Sequence, residues 1–347
     1  MSIPIQNLYY LLTYAWDRRL RHLQLTELEA SACPDLNQLL SRVLVRGVRE
    51  LVGRGIDRAY REHEELTPRL KGRIDFSRSA RRQTWREGRM HCSYDELSCD
   101  MLPNRILKAT MRRLACDPAL TGPVHRELLE LLEFFGEIPA EPLHISSFRR
   151  LQFHRNNRIY RLLMEACSLI FRSCLPDRSA VGKHRFRDIT ADDKAMASIF
   201  EKFVRGFAAR HLARALVGGM TMKWNAVSDS AETMDLLPQM KTDVTIEWPE
   251  RKLSLDCKFY GEALKGQYDR NRFISSNLYQ LHAYLVNKAV QGGGWERVEG
   301  MLLYPTNGTR LDHRFTLHGT HPVRIVTLDL NQPWKSIEGD LISILTA

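Results

Sequence analysis

Apolar residues recur at helical spacing from the start of the chain. Ile5, Leu8, Tyr9, Leu12 and Trp16 fall on one face and predict a helix over residues 7–16, just after Pro4. A second helix is predicted over residues 36–52 from Leu39, Leu40, Val43, Val45 and Val48, with Gly53 and Gly55 ending it. Between about residues 60 and 94 the pattern shifts to short strands around a basic connection holding Arg78, Arg81, Arg82, Arg86 and Arg89. Helical spacing returns with Ile106, Leu107, Met111 and Leu114, and again over residues 127–135. Pro139 and Pro142 then mark a transition, which predicts a domain boundary near residue 150. Beyond it come a helix over residues 159–171 and a longer one over 192–216, with Ile199, Phe203 and Phe207 at four-residue steps.

From residue 242 the period changes to two. Thr242, Val244, Ile246 and Trp248 alternate with Asp243, Thr245 and Glu247, and after a turn at residues 249–252 a second strand places Leu253, Leu255, Cys257 and Phe259 opposite Ser254, Asp256 and Lys258. Paired antiparallel, the two strands bring Asp243 beside Asp256 and Lys258. A helix over residues 275–290 follows, with Leu278, Leu281 and Leu285 as its buried stripe; Gln280 and Tyr284 lie four apart on another face. Residues 300–305 and 321–330 read as buried strands separated by polar turns. The whole pattern predicts a mixed α+β or α/β chain with a mainly helical N-terminal domain over 1–150 and a C-terminal domain over 151–347 built on a mixed sheet flanked by helices.

Two carboxylates and an ammonium group on rigid strands suit metal-dependent phosphodiester cleavage. The acids offer hard oxygen ligands to magnesium, and the lysine can position water or stabilise charge on the phosphoryl group. Asp-x-Lys or Glu-x-Lys also occurs at Asp192-Asp193-Lys194 and Glu250-Arg251-Lys252, so the triplet alone does not separate a metal site from a surface salt bridge. Glu201, on the preceding helix, is a candidate third acid.

The chain of 347 residues carries 51 Lys and Arg against 41 Asp and Glu, a net charge of +10 that favours polyanionic partners, nucleic acid first. Its seven cysteines form no Cys-x-x-Cys pair, which favours reduced thiols and a cytoplasmic protein over a disulfide framework. The apolar N-terminus lacks the marks of a signal peptide and is too short to span a membrane. No Walker-type lysine loop is present, so nucleotide hydrolysis is not expected of this chain unaided.

The succession of Glu201 on a helix, Asp243, Asp256-Cys257-Lys258, then Gln280 and Tyr284 on a helix resembles the PD-(D/E)xK nuclease superfamily. More narrowly, IPIQNLYYLLTYAW, LKGRIDF, YDELSCDMLPNRILK, KTDVTI, LDCKFY, NLYQLHAYL and LLYP, in that order over nearly the whole chain, resemble the McrC family. McrC proteins are the nuclease subunits of the two-component McrBC modification-dependent (type IV) restriction systems. The resemblance implies a PD-(D/E)xK endonuclease domain over 151–347 in which Asp243 and Asp256 bind Mg2+ with the Cys257 backbone carbonyl, and Glu201 is a further candidate ligand. It makes Lys258 the catalytic lysine, with Gln280 and Tyr284 behind it. It also implies a GTPase-stimulating, partner-docking domain over 1–150, a hexameric AAA+ GTPase partner of McrB type that uses the GTP, and DNA containing modified cytosine as substrate. Arg73, Arg78, Arg81, Arg82, Asn104, Arg105, Lys265, Arg270 and Arg272 are candidate contacts to DNA or partner. Thr242 stands where the superfamily has proline, and Cys257 where alanine is common. Two other readings are a non-cleaving assembly subunit with a vestigial nuclease fold and a stand-alone repair nuclease.

Overall fold

The computed structural model describes residues 3–15, 33, 35–140, 142, 144–153, 158–176, 184–186, 192–259, 264–267, 270–306 and 310–347. They form two compact units, one joining Met1–Leu39 to Asp188–Ala347 and the other comprising Leu40–Arg187. This division differs from the predicted one at residue 150. The apolar face of α1 (Ile5–Ala15) packs against a helix nearly two hundred residues later, a pairing that local spacing cannot reveal.

The middle unit holds most of α2 (Leu36–Arg54), then β1 (Ala59–Thr67), β2 (Arg73–Ile74), α3 (Phe76–Arg81), β3 (Met90–Ser98), α4 (Leu102–Ala115), α5 (Pro123–Glu133) and α6 (Arg158–Ser173), followed by the short pair β4 (Cys174–Pro176) and β5 (His184–Phe186). The strand β3 is central to a three-stranded antiparallel sheet, running from Ala59↔Ser98 to Thr67↔Met90 against β1 and pairing with β2 on its other edge. The basic connection is partly helical. Asp75 caps α3 by accepting the Arg78 N–H at 2.9 Å, and Thr84–Glu87 adds a 3-10 turn. As the spacing predicts, Ile106, Leu107, Met111 and Leu114 of α4 are fully buried.

The other unit continues after α1 with α7 (Asp193–His211), β6 (Leu216–Gly218), β7 (Thr221–Met222), α8 (Ala231–Asp235), β8 (Met240–Lys241), β9 (Val244–Glu247), β10 (Lys252–Cys257), β11 (Leu264–Gln267), β12 (Arg270–Phe273), α9 (Ser275–Ala289), β13 (Glu299–Thr306), β14 (Asp312–Leu317), β15 (His321–Asp329) and α10 (Trp334–Thr346). Six strands form a mixed sheet in the order β14-β15-β13-β10-β9-β6, with β10, β13 and β15 mutually parallel and the outer pairings antiparallel. This is an α+β architecture.

Helices cover both faces of that sheet. Leu281 and Leu285 of α9 share a core with Leu302, Tyr304, Val323 and Ile325 on one side. On the other, Phe200 of α7 meets Phe259 just beyond β10, and Phe203 meets Trp334 of α10. The two-sided cover corrects the simple alternation read from sequence: Val244, Thr245 and Ile246, and every residue from Leu253 to Cys257, are buried. The predicted parity fits the β9–β10 ladder, with the polar set beneath α9, but not Thr242, which precedes the bend and turns its hydroxyl to that of Thr245.

Other boundaries also differ. The helix predicted to reach residue 216 ends at His211, because residues 216–218 are drawn into the sheet as an edge beside β9 and Arg214 takes a left-handed φ of 61°. The strand β14 lies where the sequence predicts a polar turn: as the other edge of the sheet, it is exposed along most of its length and has no apolar alternation. Among the described residues no helix is long and apolar enough to cross a membrane.

Candidate active site

The β9–β10 ladder pairs Val244 with Leu255, and one further step of the same register sets Asp243 opposite Asp256. Asp243 sits in a bend just before β9, where its Oδ2 accepts the Cys257 N–H at 2.8 Å. That bond carries the hairpin past its last ladder pair and fixes the carboxyl group. Thr242 holds the bend from the other side: its hydroxyl accepts the Met220 N–H at 3.0 Å and lies 2.9 Å from the Thr245 hydroxyl. A polar tether thus sits immediately before Asp243.

Asp256 is 1% exposed. The Lys258 ammonium lies 2.7 Å from its Oδ2, and the Asp243 carboxyl group is also within hydrogen-bonding reach. Burying a carboxylate is costly unless a cation completes it. Burial raises the Asp256 pKa despite the nearby lysine. Asp243 is pushed up to about 6, by burial first and then by the charge of Asp256.

Lys258 is held from behind. Its Nζ donates to Gln280 Oε1 at 2.7 Å, Gln280 Nε2 donates to the Tyr284 hydroxyl at 2.6 Å, and that hydroxyl donates to the Lys241 carbonyl at 2.8 Å. The i,i+4 spacing on α9 therefore builds a relay from β8 to the ammonium group. Burial raises the Tyr284 pKa, which keeps its phenol protonated as a donor.

Glu201 approaches the pair from α7. Burial, followed by the charge of Asp243, raises its pKa, but its carboxylate is bound by Arg205 one turn along. Arg205 Nε also donates to the Asp243 main-chain oxygen at 2.9 Å. The sequence reading missed Arg205, although its position four residues after Glu201 was a usable signal. Among the described residues, no three His, Cys, Asp or Glu side chains are arranged to hold an ion together. Two buried carboxylates remain, side by side with one ammonium group, and that donor set fits a hard divalent cation whose other positions go to water and phosphate.

The family model described as McrBC 5-methylcytosine restriction system component matches residues 5–305. The chain belongs to the McrBC family. It is 33% identical over 342 residues, covering 99% of this chain and 97% of the relative, to the Escherichia coli (strain K12) protein described as type IV methyl-directed restriction enzyme EcoKMcrBC. Its fold is similar to a solved half-complex from a tetradecameric assembly of Thermococcus gammatolerans McrB AAA+ hexamers with bound McrC. That match has a TM-score of 0.52 and 19% identity, covering 99% of this chain and 75% of the other.

The remaining candidate residues of this McrBC-family chain are dispersed. Arg73, Arg81 and Arg82 are exposed around β2 and α3, and Arg78 pairs with Glu64 at 2.7 Å. Asn104 departs from its expected contact role. It is fully buried, donating to the Asp57 and Cys99 carbonyls at 3.0 and 2.7 Å and accepting the Tyr160 hydroxyl at 2.5 Å, so it braces the fold. Arg105 is likewise engaged, with Nη2 2.7 Å from Asp100. Arg272 is exposed on β12; Lys265 and Arg270 lie on β11 and β12, with side chains outside the described residues. The Cys257 thiol is buried and held well above its ordinary pKa by that burial, which disfavours the reactive thiolate.

Proposed function

We propose that this chain is the magnesium-dependent DNA endonuclease subunit of a GTP-driven, modified-cytosine-directed restriction complex, with a PD-(D/E)xK nuclease fold in its C-terminal region. The observation that carries the reading is the convergence of Asp243, Asp256 and Lys258, with the lysine held by Gln280. Family membership and the relative's description as a methyl-directed restriction enzyme support the substrate class. The solved half-complex supports a ring-forming AAA+ partner of McrB type, which would use the GTP.

Asp243 and Asp256, with the Cys257 carbonyl, would hold Mg2+. The bound cation supplies a polarised phosphoryl group and a water of lowered pKa. Asp243 and Asp256 lose part of their mutual repulsion when their charges are shared with it. Lys258, aimed by Gln280, orients the attacking water and faces the charge that develops on the phosphoryl oxygens. Gln280 and Tyr284 keep the ammonium in place as substrate enters.

The test is reconstitution with the AAA+ partner, methylated DNA, Mg2+ and GTP. Wild type should cleave, whereas Asp256→Asn and Lys258→Ala should lose cleavage by at least about 100-fold while still stimulating partner GTP turnover. Cleavage by both variants at the wild-type rate would remove this site from the reaction.

A further inference from the structure

Glu201 and Arg205 lie four residues apart on α7, beside the two acids. The Arg205 guanidinium does two things at once. It forms an ion pair with Glu201 Oε1, and through Nε and Nη2 it donates to the main-chain oxygen of Asp243. That oxygen belongs to a bend outside the β9 ladder. A neighbouring glycine leaves room for the arrangement: a Cβ at Gly219 would lie 3.2 Å from Arg205 Nη2 and 3.3 Å from the Thr242 oxygen.

Resting on the reading above, we propose that Arg205 is a positioning residue for Asp243, and that Glu201 acts through Arg205 instead of serving as a third cation ligand. The planar guanidinium spans a carboxylate and a carbonyl together, which one ammonium cannot do with the same geometry. Glu201 holds one end of the fork, and the other end holds the bend from which the Asp243 side chain points at Asp256. Such outer partners govern metal affinity through the ligands they orient.

Two measurements on the purified full chain test this. In calorimetry with Mn2+ and Mg2+, Glu201→Gln keeps an oxygen for Arg205 while removing the charge. It should weaken binding less than about threefold, whereas Arg205→Ala should weaken it about tenfold or more. In amide hydrogen exchange without added cation, Arg205→Ala should speed exchange of the Cys257 amide, which donates to Asp243 Oδ2, by about tenfold or more, with β13 amides unchanged. Arg205→Lys should restore part of that protection.

A loss of about tenfold or more for Glu201→Gln, matching that of Asp256→Asn, would make Glu201 a ligand and overturn the inference while leaving the nuclease reading intact. Unchanged Cys257 exchange in Arg205→Ala would overturn the positioning role. Unchanged cation affinity in Asp256→Asn, by contrast, would sink the reading of the site itself, and the exchange measurement would still decide what Arg205 does for Asp243.

Discussion

The residue that bears most of the electrostatic tension is Asp243. Its folded-state pKa stands near 6 against an ordinary 3.8, chiefly through burial. A raised carboxyl pKa means the folded state binds its proton more tightly than the unfolded one. This penalty is absent below about pH 4, grows as pH rises through the interval, and is complete above about pH 6. Asp243→Asn should therefore stabilise the cation-free protein at neutral pH, by on the order of 3 kcal/mol, and give no gain near pH 3.5. Thermal unfolding of both proteins across pH measures this; a variant less stable at pH 7.5 would contradict it. Along the relay behind the lysine, Gln280→Ala should reduce cleavage by about 10- to 100-fold. Single-turnover kinetics at saturating Mg2+ would separate misplacement of Lys258 from weaker cation binding.

At the scale of elements, the crossing of α1 and α7 is set by one missing side chain. A Cβ at Gly206 would come within 1.9 Å of the Tyr14 carbonyl oxygen, so the helices can approach this closely only over glycine. Gly206→Ala gains about 1 kcal/mol of helix propensity, yet must push backbone away. Net destabilisation of about 1–3 kcal/mol, with a lowered denaturation midpoint, is the expected result. In the other unit, Asn104→Ala would strip partners from the Asp57 and Cys99 carbonyls and the Tyr160 hydroxyl. The expected loss, on the order of 3 kcal/mol, is readable in urea unfolding. The helical period identified the buried face of α4, but did not distinguish a polar brace within that face from a surface contact.

For the molecule as a whole, net charge and site geometry predict opposite salt responses. Nucleic-acid binding by a chain of charge +10 should weaken steeply with NaCl as released counterions are recaptured. Divalent cations should instead raise the unfolding temperature by mass action on the folded state, and Asp256→Asn should abolish that rise. A wild-type thermal shift equal to that of Asp256→Asn would refute cation binding at the acid pair.

Much was legible in the chain. Hydrophobic period gave α1, α2, α4, α6, α7 and α9, and strand parity set Asp243 and Asp256 on one side of a hairpin, because both signals are local consequences of backbone geometry. The resemblance to McrC proteins supplied the family. The edge strand β14, the early end of α7, the union of α1 with the C-terminal region and the second role of Arg205 were not legible. Each depends on what packs against a residue from far along the chain. Sequence determined which side chains share a face and carry charge; only tertiary structure decided which faces are buried and which polar groups partner one another, because burial and hydrogen-bond satisfaction belong to the neighbours a fold brings together.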